Sequence, residues 1–312
     1  MRVLVTGATG VVGSRVVPLL LARGHRVTAI GRSAERLSAL EGQGAATSRA
    51  DLFDPEALRA AVDGCDAVLN LATHMPPTTT RMLFPGAWAE NDRVRRIGSA
   101  NLVDAALGAN VRRFVQESFA PAYPDRGDRW IDEETPLQPA GYNRTIVDAE
   151  ASAARFTKRS GGAGVVLRFG AFYGPDSRFL RDMIGILRRG WVPIPGAPES
   201  FLSPISHDDA AEAAVAALEL GAGTYNVVDD EPVTRREYFD TLAAALGVPP
   251  PRFPPPWTVH LLGSAGELLS RSQRISNRKL RGLSGWVPKD PSVREGWRQV
   301  VPSLAKTGRA AA

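Results

Sequence analysis

Along the first half of the chain, short apolar runs that end in turn residues alternate with segments whose apolar residues recur every three or four positions. The runs predict strands and the spaced segments predict helices. The predicted strands are residues 2–6, 25–30, 45–49, 67–71, 113–116 and 165–169, and the predicted helices are residues 11–21, 55–62, 88–109 and 142–160. Because strands and helices alternate, we predict right-handed βαβ units and an α/β fold, a Rossmann-type doubly wound parallel sheet.

Beyond Gly174 this regularity falls. Prolines at 193, 195, 198 and within 249–256 indicate loops and a semi-rigid connector, and residues 224–228 are typical of a strand that returns to the sheet. We therefore predict a dinucleotide-binding domain over residues 1–170, with a returning segment near 203–228. A smaller substrate-binding domain takes residues 171–202 and 229–305, and residues 306–312 form a disordered tail.

Three glycines directly after the first strand carry the strongest chemical signal. Gly7, Gly10 and Gly13 stand between that strand and the first helix. The first permits a tight turn, the second lets the backbone approach a pyrophosphate, and the third lets helix and strand pack closely. The free N–H groups at the start of the helix then face the phosphates. This placement predicts a dinucleotide site, with a merely structural glycine turn as the alternative.

The end of the second strand distinguishes between two cofactors. An NAD-selective site usually has an acidic residue about 20 positions after the glycines, where it binds the ribose 2′-hydroxyl. Gly31 stands there instead, with Arg32 beside it. A small neutral residue leaves room for a 2′-phosphate, and a guanidinium pairs with it. We therefore predict NADP rather than NAD, the alternative being that Arg32 is a solvated surface charge.

Composition narrows the class of protein. The chain has 312 residues, of which 44% are hydrophobic and 23% charged, as in ordinary globular proteins. Its net charge is +5, but the arginines are dispersed, so we expect a small-molecule substrate and no nucleic acid as partner. No apolar run is long enough to span a bilayer, and the N-terminus is itself the first strand, so we expect a cytoplasmic protein without a membrane partner.

The cysteine count bears on metal binding. Cys65 is the one cysteine of the sequence, which excludes an intramolecular disulfide and makes a thiolate metal site unexpected. We therefore predict no metal and a small, half-buried side chain at this position.

Several sequence blocks occur in the order found in one enzyme family. On these blocks the chain resembles the extended short-chain dehydrogenase/reductases, specifically their NAD(P)-dependent epimerase/dehydratase branch, over most of its length. The blocks are residues 6–13, 51–52, 70–72, 98–106, 167–175, 205–213, 225–228, 285–286 and 294–297.

The resemblance implies which residues surround the cofactor. Asp51 and Leu52 are expected at the adenine ring, residues 71–73 along the ribose and pyrophosphate, and residues 169–172 beside the nicotinamide. Asp51 alone would also be explained as a turn residue. The expected cofactor ligands are Gly7, Thr9, Gly10, Val11, Val12, Gly13, Arg32, Ser33, Asp51, Leu52, Leu71, Ala72, Thr73 and Phe169. Relatives pair two long helices into a homodimer, which implies the same for residues 88–109 and 142–160.

The resemblance also identifies the catalytic positions, and two of them are changed. Tyr142 matches the proton-transferring tyrosine, but Ile146 stands four positions later, where relatives carry a lysine. The hydroxyl residue that bonds the reacting oxygen falls on Phe119, with Ser118 as its neighbour. Neighbours on a strand face opposite ways, although a bend could bring Ser118 round. Tyr142 itself fits either the helix or the loop before it.

Other acids and bases could assist. His74 follows the fourth strand at its carboxyl end, where an imidazole could donate a proton, or it could simply be a surface residue. Arg168 ends a buried strand and could bind an anionic substrate or pair with a carboxylate. His207 lies in a block that the family uses structurally. Arg95 stands where the family's long helix often has an asparagine, although Asn91, one turn earlier, could take its place.

The expected substrate wall is mostly apolar. Its predicted members are Trp88, Phe119, Arg168, Phe172 and Tyr173. Such a wall favours a small, mainly apolar metabolite over a nucleotide sugar. The sequence therefore predicts an NADP-dependent oxidoreductase that acts on a carbonyl or alcohol. Two alternatives stay open: a redox-neutral epimerase or dehydratase that retains its cofactor, and a non-catalytic NADP-binding sensor.

Overall fold

The computed structural model describes residues 1–76, 79–82, 84–194 and 196–309. Within these ranges, seven parallel strands form one sheet. They are β1 (Arg2–Thr6), β2 (Arg26–Ile30), β3 (Ala46–Ser48), β4 (Ala67–Asn70), β5 (Arg113–Phe119), β7 (Ala163–Phe169) and β11 (Gly223–Val227). Six shorter strands pair outside it. They are β6 (Trp130–Ile131) with β13 (Arg274–Ile275), β8 (Ala171–Tyr173) with β10 (Pro204–Ser206), and β9 (Phe201–Leu202) with β12 (Val233–Thr234).

Helices connect these strands. They are α1 (Gly13–Ala22), α2 (Ala34–Glu41), α3 (Pro55–Val62), α4 (Thr79–Met82), α5 (Ala89–Arg93), α6 (Ser99–Gly108), α7 (Ile146–Ser160), α8 (Arg178–Leu187), α9 (His207–Ala216), α10 (Arg235–Ala245), α11 (Gly263–Ser270), α12 (Arg278–Ser284) and α13 (Val293–Arg309). Four short 3₁₀ segments accompany them, at Pro85–Trp88, Ala120–Ala122, Ala217–Glu219 and Pro256–Leu262.

The sheet is covered on both faces, as the unbroken apolar runs of its strands require. Apolar residues of α1, α2 and α9 pack on one face, and those of α3, α6 and α7 pack on the other. The strand order is β11-β7-β5-β4-β1-β2-β3, so the chain leaves β1 toward β2 on one side and later continues from β4 on the other. This reversal opens a crevice at the carboxyl ends of β1 and β4, where ligands bind in such sheets. The predicted fold is confirmed.

A second apolar cluster lies in the C-terminal half. Residues of α8, α10 and α13 form it, and the largest of its buried side chains is Trp297. β11 pairs with β7 at the edge of the sheet, so the returning strand predicted at residues 224–228 is confirmed. The cluster includes Tyr173 of β8, the short strand that follows β7 of the central sheet. Its C-terminal residues therefore pack near the carboxyl end of β7.

Several predicted element ends move by one to three residues, and three segments differ further. The helix predicted over residues 88–109 is interrupted by a π turn at Val94–Gly98, between α5 and α6. The helix predicted from residue 142 begins only at Ile146, because residues 141–145 form turns. The predicted disordered tail is helical as far as Arg309, while Pro195 and residues 310–312, which were predicted as loop and tail, lie outside the described residues.

Candidate functional site

The glycine loop leaves no room for side chains. Gly7 has φ +65, and a Cβ there would lie 2.5 Å from the carbonyl oxygen of Leu71. A Cβ at Gly13 would lie 2.2 Å from the carbonyl oxygen of Gly7. α1 begins at Gly13 without a side-chain cap. The N–H groups of Ser14, Arg15 and Val16 donate to the carbonyl oxygens of Gly10 and Val12, whereas those of Val11 and Val12 have no backbone acceptor among the described residues. Both observations fit the pyrophosphate of a dinucleotide.

The end of β2 is positively charged. Ser33 caps α2 by accepting a hydrogen bond from the Arg36 backbone N–H at 3.3 Å. The Arg36 guanidinium donates to the carbonyl oxygen of Thr9 at 3.4 Å, and Arg32 stands exposed beside it. A Cβ at Gly31 would lie 2.8 Å from the Thr9 side chain, so an acidic residue cannot enter here without displacing the loop. The residues present therefore fit a cofactor with a phosphate at this end.

Arg36 was missed in the sequence analysis. Its signal was its position in the first turn of α2, three residues after the capping Ser33, which points its side chain back over the glycine loop. Two guanidinium groups, not one, thus flank the end of β2.

The adenine side contains a tight turn. The Asp51 carboxylate accepts a hydrogen bond from the Phe53 backbone N–H at 3.0 Å, which is the turn role that the sequence also allowed. Leu52 packs closely on Gly98, where a Cβ would lie 3.2 Å from the Leu52 side chain. An adenine contact of Asp51 and Leu52 stays a prediction. Leu71, Ala72 and Thr73 follow β4 at the crevice, Leu71 buried and the other two half-buried.

His74 lies near the cofactor-binding residues at the end of β2. Its Nδ1 is 3.2 Å from the Arg32 guanidinium, and its backbone N–H donates to the Asn91 side chain at 2.9 Å. Since β1 lies between β2 and β4 in the sheet, this contact reaches across the end of β1. The proposed helper of Tyr142 is therefore engaged with the positively charged group at the ribose end. Its predicted catalytic role stays a prediction.

Tyr142 lies in a turn rather than on a helix. Its ring packs on Trp88, with centroids 4.8 Å apart. Burial raises the pKa of Tyr142, while the charges of Arg271 and Arg95 oppose that rise, so the phenol is neutral at physiological pH. Ile146 is buried as the first residue of α7, so the spacing of four residues does not place it above Tyr142 on one helix face.

Ser118, on β5, is part of a buried hydrogen-bond network. Its hydroxyl donates to Glu150 at 2.6 Å, and Glu150 accepts two further hydrogen bonds from Arg168 at 2.8 and 2.7 Å. Arg168 also donates to the Tyr123 hydroxyl at 2.7 Å. Arg168 thus takes the second of its two predicted roles, pairing with a carboxylate. The Ser118 hydroxyl donates to Glu150, and its assistance to Tyr142 stays a prediction.

Several of the aromatic residues predicted beside the nicotinamide lie close together, but not all of them are accessible. Phe169 and Phe172 stack with centroids 5.4 Å apart, and Phe172 also contacts the ring of His207. Phe169 is buried in the sheet core, whereas Phe172 and Phe119 are half-buried. Tyr173 is only 1% exposed and packs on Trp297, so its predicted substrate contact is wrong.

His207 is buried with no hydrogen bond to its Nδ1 among the described residues. Burial lowers its pKa to about 4, so the imidazole is neutral at physiological pH. A Cβ at Gly174 would lie 2.2 Å from its Nδ1, which shows how closely β8 and α9 approach. His207 thus acts as a packing residue between these elements.

The structure adds an ion pair that the sequence analysis did not use. Arg95 donates to the Glu117 carboxylate at 3.1 Å, and both side chains are buried. Arg95 was noted as a departure from the family's asparagine, but the distance of 22 residues to Glu117 concealed its partner. Trp88, Asn91 and Arg95 follow one another at helical spacing and lie next to the turn that holds Tyr142.

The described part of the chain contains no group of three or more His, Cys, Asp or Glu side chains placed to hold a metal ion. Burial raises the pKa of the Cys65 thiol. None of its helices is both long and apolar enough to cross a bilayer.

Comparison with known proteins matches this geometry. Residues 7–219, more than half of the chain, match a family described as NAD(P)H-binding. A 3-diazoavenalumate denitrifying reductase from a Streptomyces species is 39% identical over 308 residues, covering 95% of this chain and 99% of the relative. A 2-alkyl-3-oxoalkanoate reductase from Shewanella oneidensis is 27% identical over 297 residues, covering 88% and 73%.

Solved structures give the same fold. A human epimerase family protein with NADPH superposes with a TM-score of 0.77 and 25% identity over 97% of this chain and 99% of that one. MoeE5 in complex with UDP-glucose and NAD has a TM-score of 0.80 over the whole of both chains; at 24% identity it shows the fold alone. The two neighbours carry different nicotinamide cofactors.

Proposed function

Since this chain belongs to the NAD(P)H-binding family of extended short-chain dehydrogenase/reductases and is an oxidoreductase, we propose that it uses NADPH to reduce a small, mainly apolar diazo compound. Arg32 and Arg36 hold the 2′-phosphate, and Gly31 presents no acidic side chain that would repel it. The loop from Gly7 to Gly13 binds the pyrophosphate through its backbone.

The proposed substrate class follows from the loss of two residues that stabilise an oxyanion in relatives. Reduction of a carbonyl forms an alkoxide, and acid catalysis is typically worth about 10²–10⁴ in rate. Here Phe119 and Ile146 stand at the hydroxyl and lysine positions, and Ser118 donates its proton to Glu150. The chain has thus lost two groups that an alkoxide requires.

A diazo substrate does not need them. Where the diazo group is an aryl diazonium ion, which needs no added proton, bound NADPH would supply a hydride to its carbon, while the C–N bond breaks and its electron pair leaves with N₂. Because N₂ leaves neutral and no alkoxide forms, the protein needs only to position the substrate and exclude water. The half-buried rings of Phe119 and Phe172 suit both tasks. The name of the Streptomyces relative supports this assignment.

Carbonyl reduction is the second candidate, and Tyr142 favours it. Its neutral phenol retains a proton to donate, and the Shewanella relative is named for a 3-oxoalkanoate. The two candidates differ in their dependence on that proton. A redox-neutral epimerisation would also depend on it.

Deuterium transfer tests the proposal. The purified protein is given benzenediazonium or acetophenone with NADPH deuterated on one face of C4, and an enzyme-free reaction serves as control. We expect deuterated benzene, N₂ and label transfer from one face only, with Tyr142→Phe changing this rate by less than about threefold. For carbonyl reduction we expect deuterated phenylethanol and a loss of about 10²-fold in the variant. If the protein accelerates neither reaction although it binds NADPH, it is a sensor and the proposal is wrong.

A homodimer is the assembly that we propose. The expected interface comprises α6 and α7 with the preceding π turn, where Ile97 and Val147 are exposed apolar residues, 43% and 47% accessible. Light scattering after size exclusion would measure the mass, and Val147→Glu should shift it toward the monomer.

A further inference from the structure

Two buried N–H donors lie one helical turn apart without an acceptor among the described residues. Asn91 accepts a hydrogen bond from the His74 backbone through its Oδ1, but its Nδ2 has no partner. Arg95 donates from Nη2 to Glu117, but its Nε has no partner. Asn91 is 0% and Arg95 4% exposed. Buried donors of this kind are nearly always satisfied, so a missing acceptor points to a ligand.

These donors face the candidate reaction site. Trp88 ends the 3₁₀ segment that runs into α5, three residues before Asn91, and its ring packs on Tyr142 at 4.8 Å. The charge of Arg95 is close enough to the Tyr142 hydroxyl to oppose the rise in its pKa. The His74 segment, which follows β4, passes Asn91 on the cofactor side. An acceptor that bonded both donors would therefore lie between Tyr142 and the crevice.

The charges around Tyr142 do not cancel. Arg95 and Arg271 both act on its phenol, and both are buried. Glu117 balances Arg95, but Arg271 donates to the backbone carbonyls of Tyr123 and Gln138, and its ion-pair partner Glu267 has a side chain 65% exposed. An exposed carboxylate screens a buried guanidinium poorly. Arg271 is thus less fully neutralised than Arg95.

We propose that Asn91 and Arg95 bind an anionic oxygen of the substrate, a carboxylate or a phenolate, beside Tyr142. This inference rests on the proposed function, because a reaction that releases N₂ forms no oxyanion and leaves these donors for a permanent anionic group. Asn91 and Arg95 then determine which substrates bind, whereas the aromatic residues determine their apolar shape. The Arg95–Glu117 pair holds the guanidinium in place for this contact.

Binding without turnover tests the inference. Calorimetry on protein saturated with NADP⁺ compares trans-cinnamate with the neutral cinnamamide for the carboxylate, and 4-nitrophenolate with nitrobenzene for the phenolate. We expect one anion to bind at least about tenfold more tightly than its neutral partner. The pair that shows the difference identifies the group. If neither anion is preferred, the inference is overturned.

Two variants and a control assign the effect to residues. Arg95→Gln combined with Glu117→Gln removes both charges without leaving a buried carboxylate unpaired, and Asn91→Asp keeps the acceptor for the His74 N–H while adding a negative charge. We expect the anion preference to fall below about twofold in both. Arg96→Gln is the control, because this neighbouring side chain is 58% exposed and pairs with Asp148.

The outcomes separate this inference from the proposed function. An anion preference that persists in both variants places the binding site elsewhere and refutes the roles of Asn91 and Arg95. NADPH fluorescence titration shows whether each variant is folded. No probe is reduced in the binding measurements. Their result can therefore be interpreted even if diazonium reduction fails, and the deuterium-transfer result can be interpreted even if no anion is preferred.

Discussion

Removal of the guanidinium groups at the end of β2 should abolish the protein's preference for NADPH over NADH. Arg32 and Arg36 both lie at this end, and the Arg32 side chain is exposed. A hydrogen bond to a charged group contributes about 1.5–3 kcal/mol, and exposure places Arg32 near the lower limit. Since about 1.4 kcal/mol corresponds to tenfold in affinity, Arg32→Ala should weaken NADPH binding about tenfold.

The double variant Arg32→Ala/Arg36→Ala should weaken NADPH binding about a hundredfold, if the two contacts are independent. NADH lacks the 2′-phosphate, so its dissociation constant should stay within about twofold. The assay is a titration of cofactor fluorescence at two salt concentrations, because salt screens exposed charges and should reduce the wild-type preference. Arg59→Ala on α3, where the side chain is 61% exposed, is the matched control.

An unchanged ratio of NADPH to NADH affinity in the double variant would refute this reasoning. It would mean that the two guanidinium groups are solvated surface charges, the alternative that the sequence left open for Arg32. Equal loss of both affinities would instead indicate damage to the glycine loop, since Arg36 contacts the carbonyl oxygen of Thr9.

Three further predictions concern stability, each measured by urea denaturation. Gly7→Ala should lower the free energy of unfolding by about 2 kcal/mol or more, because its Cβ would collide with backbone at a positive φ, whereas Gly108→Ala, with open space around it, should change it by less than about 0.5 kcal/mol. Glu150→Gln should cost about 3–5 kcal/mol, because it leaves the charge of Arg168 buried without a counter-charge; a loss below about 1 kcal/mol would contradict this. His207 has a pKa of about 4 in the folded protein against 6.5 as its ordinary value, so its contribution is complete above pH 6.5 and is lost as the pH falls toward 4, by about 3 kcal/mol in total. In His207→Asn this part of the acid sensitivity should vanish, and an unchanged pH profile would disprove the assignment.

The sequence predicted those features that depend on local pattern. The strand of residues 2–6 and the glycines after it are fixed by a buried apolar run and by close backbone approach, both visible within a dozen residues. Arg32 follows β2 directly, so its place at the end of that strand could also be predicted. These features place the cofactor end of the site.

The reaction end depends on contacts between distant segments, which the sequence pattern does not encode. The hydrogen bond of Ser118 with Glu150 joins residues 32 positions apart in the chain. His74 lies in a loop whose direction is determined by Asn91, and Glu117 gave no signal of its ion pair with Arg95. The sequence pattern predicted Tyr173 in the cleft because it does not show that Trp297 of the C-terminal helix buries this side chain.

The π turn at Val94–Gly98 gives this chain a way to change its selectivity without losing its architecture. One additional residue in a helix rotates the turns before it by about 100° relative to the turns after it. Loss of a single codon here would leave α6 seated on the sheet but would turn Asn91, on the helix before it, to another direction and would displace Arg95, which lies within the π turn. Specificity could therefore diversify in this lineage through insertion and deletion at one point, with the nucleotide-binding half left untouched.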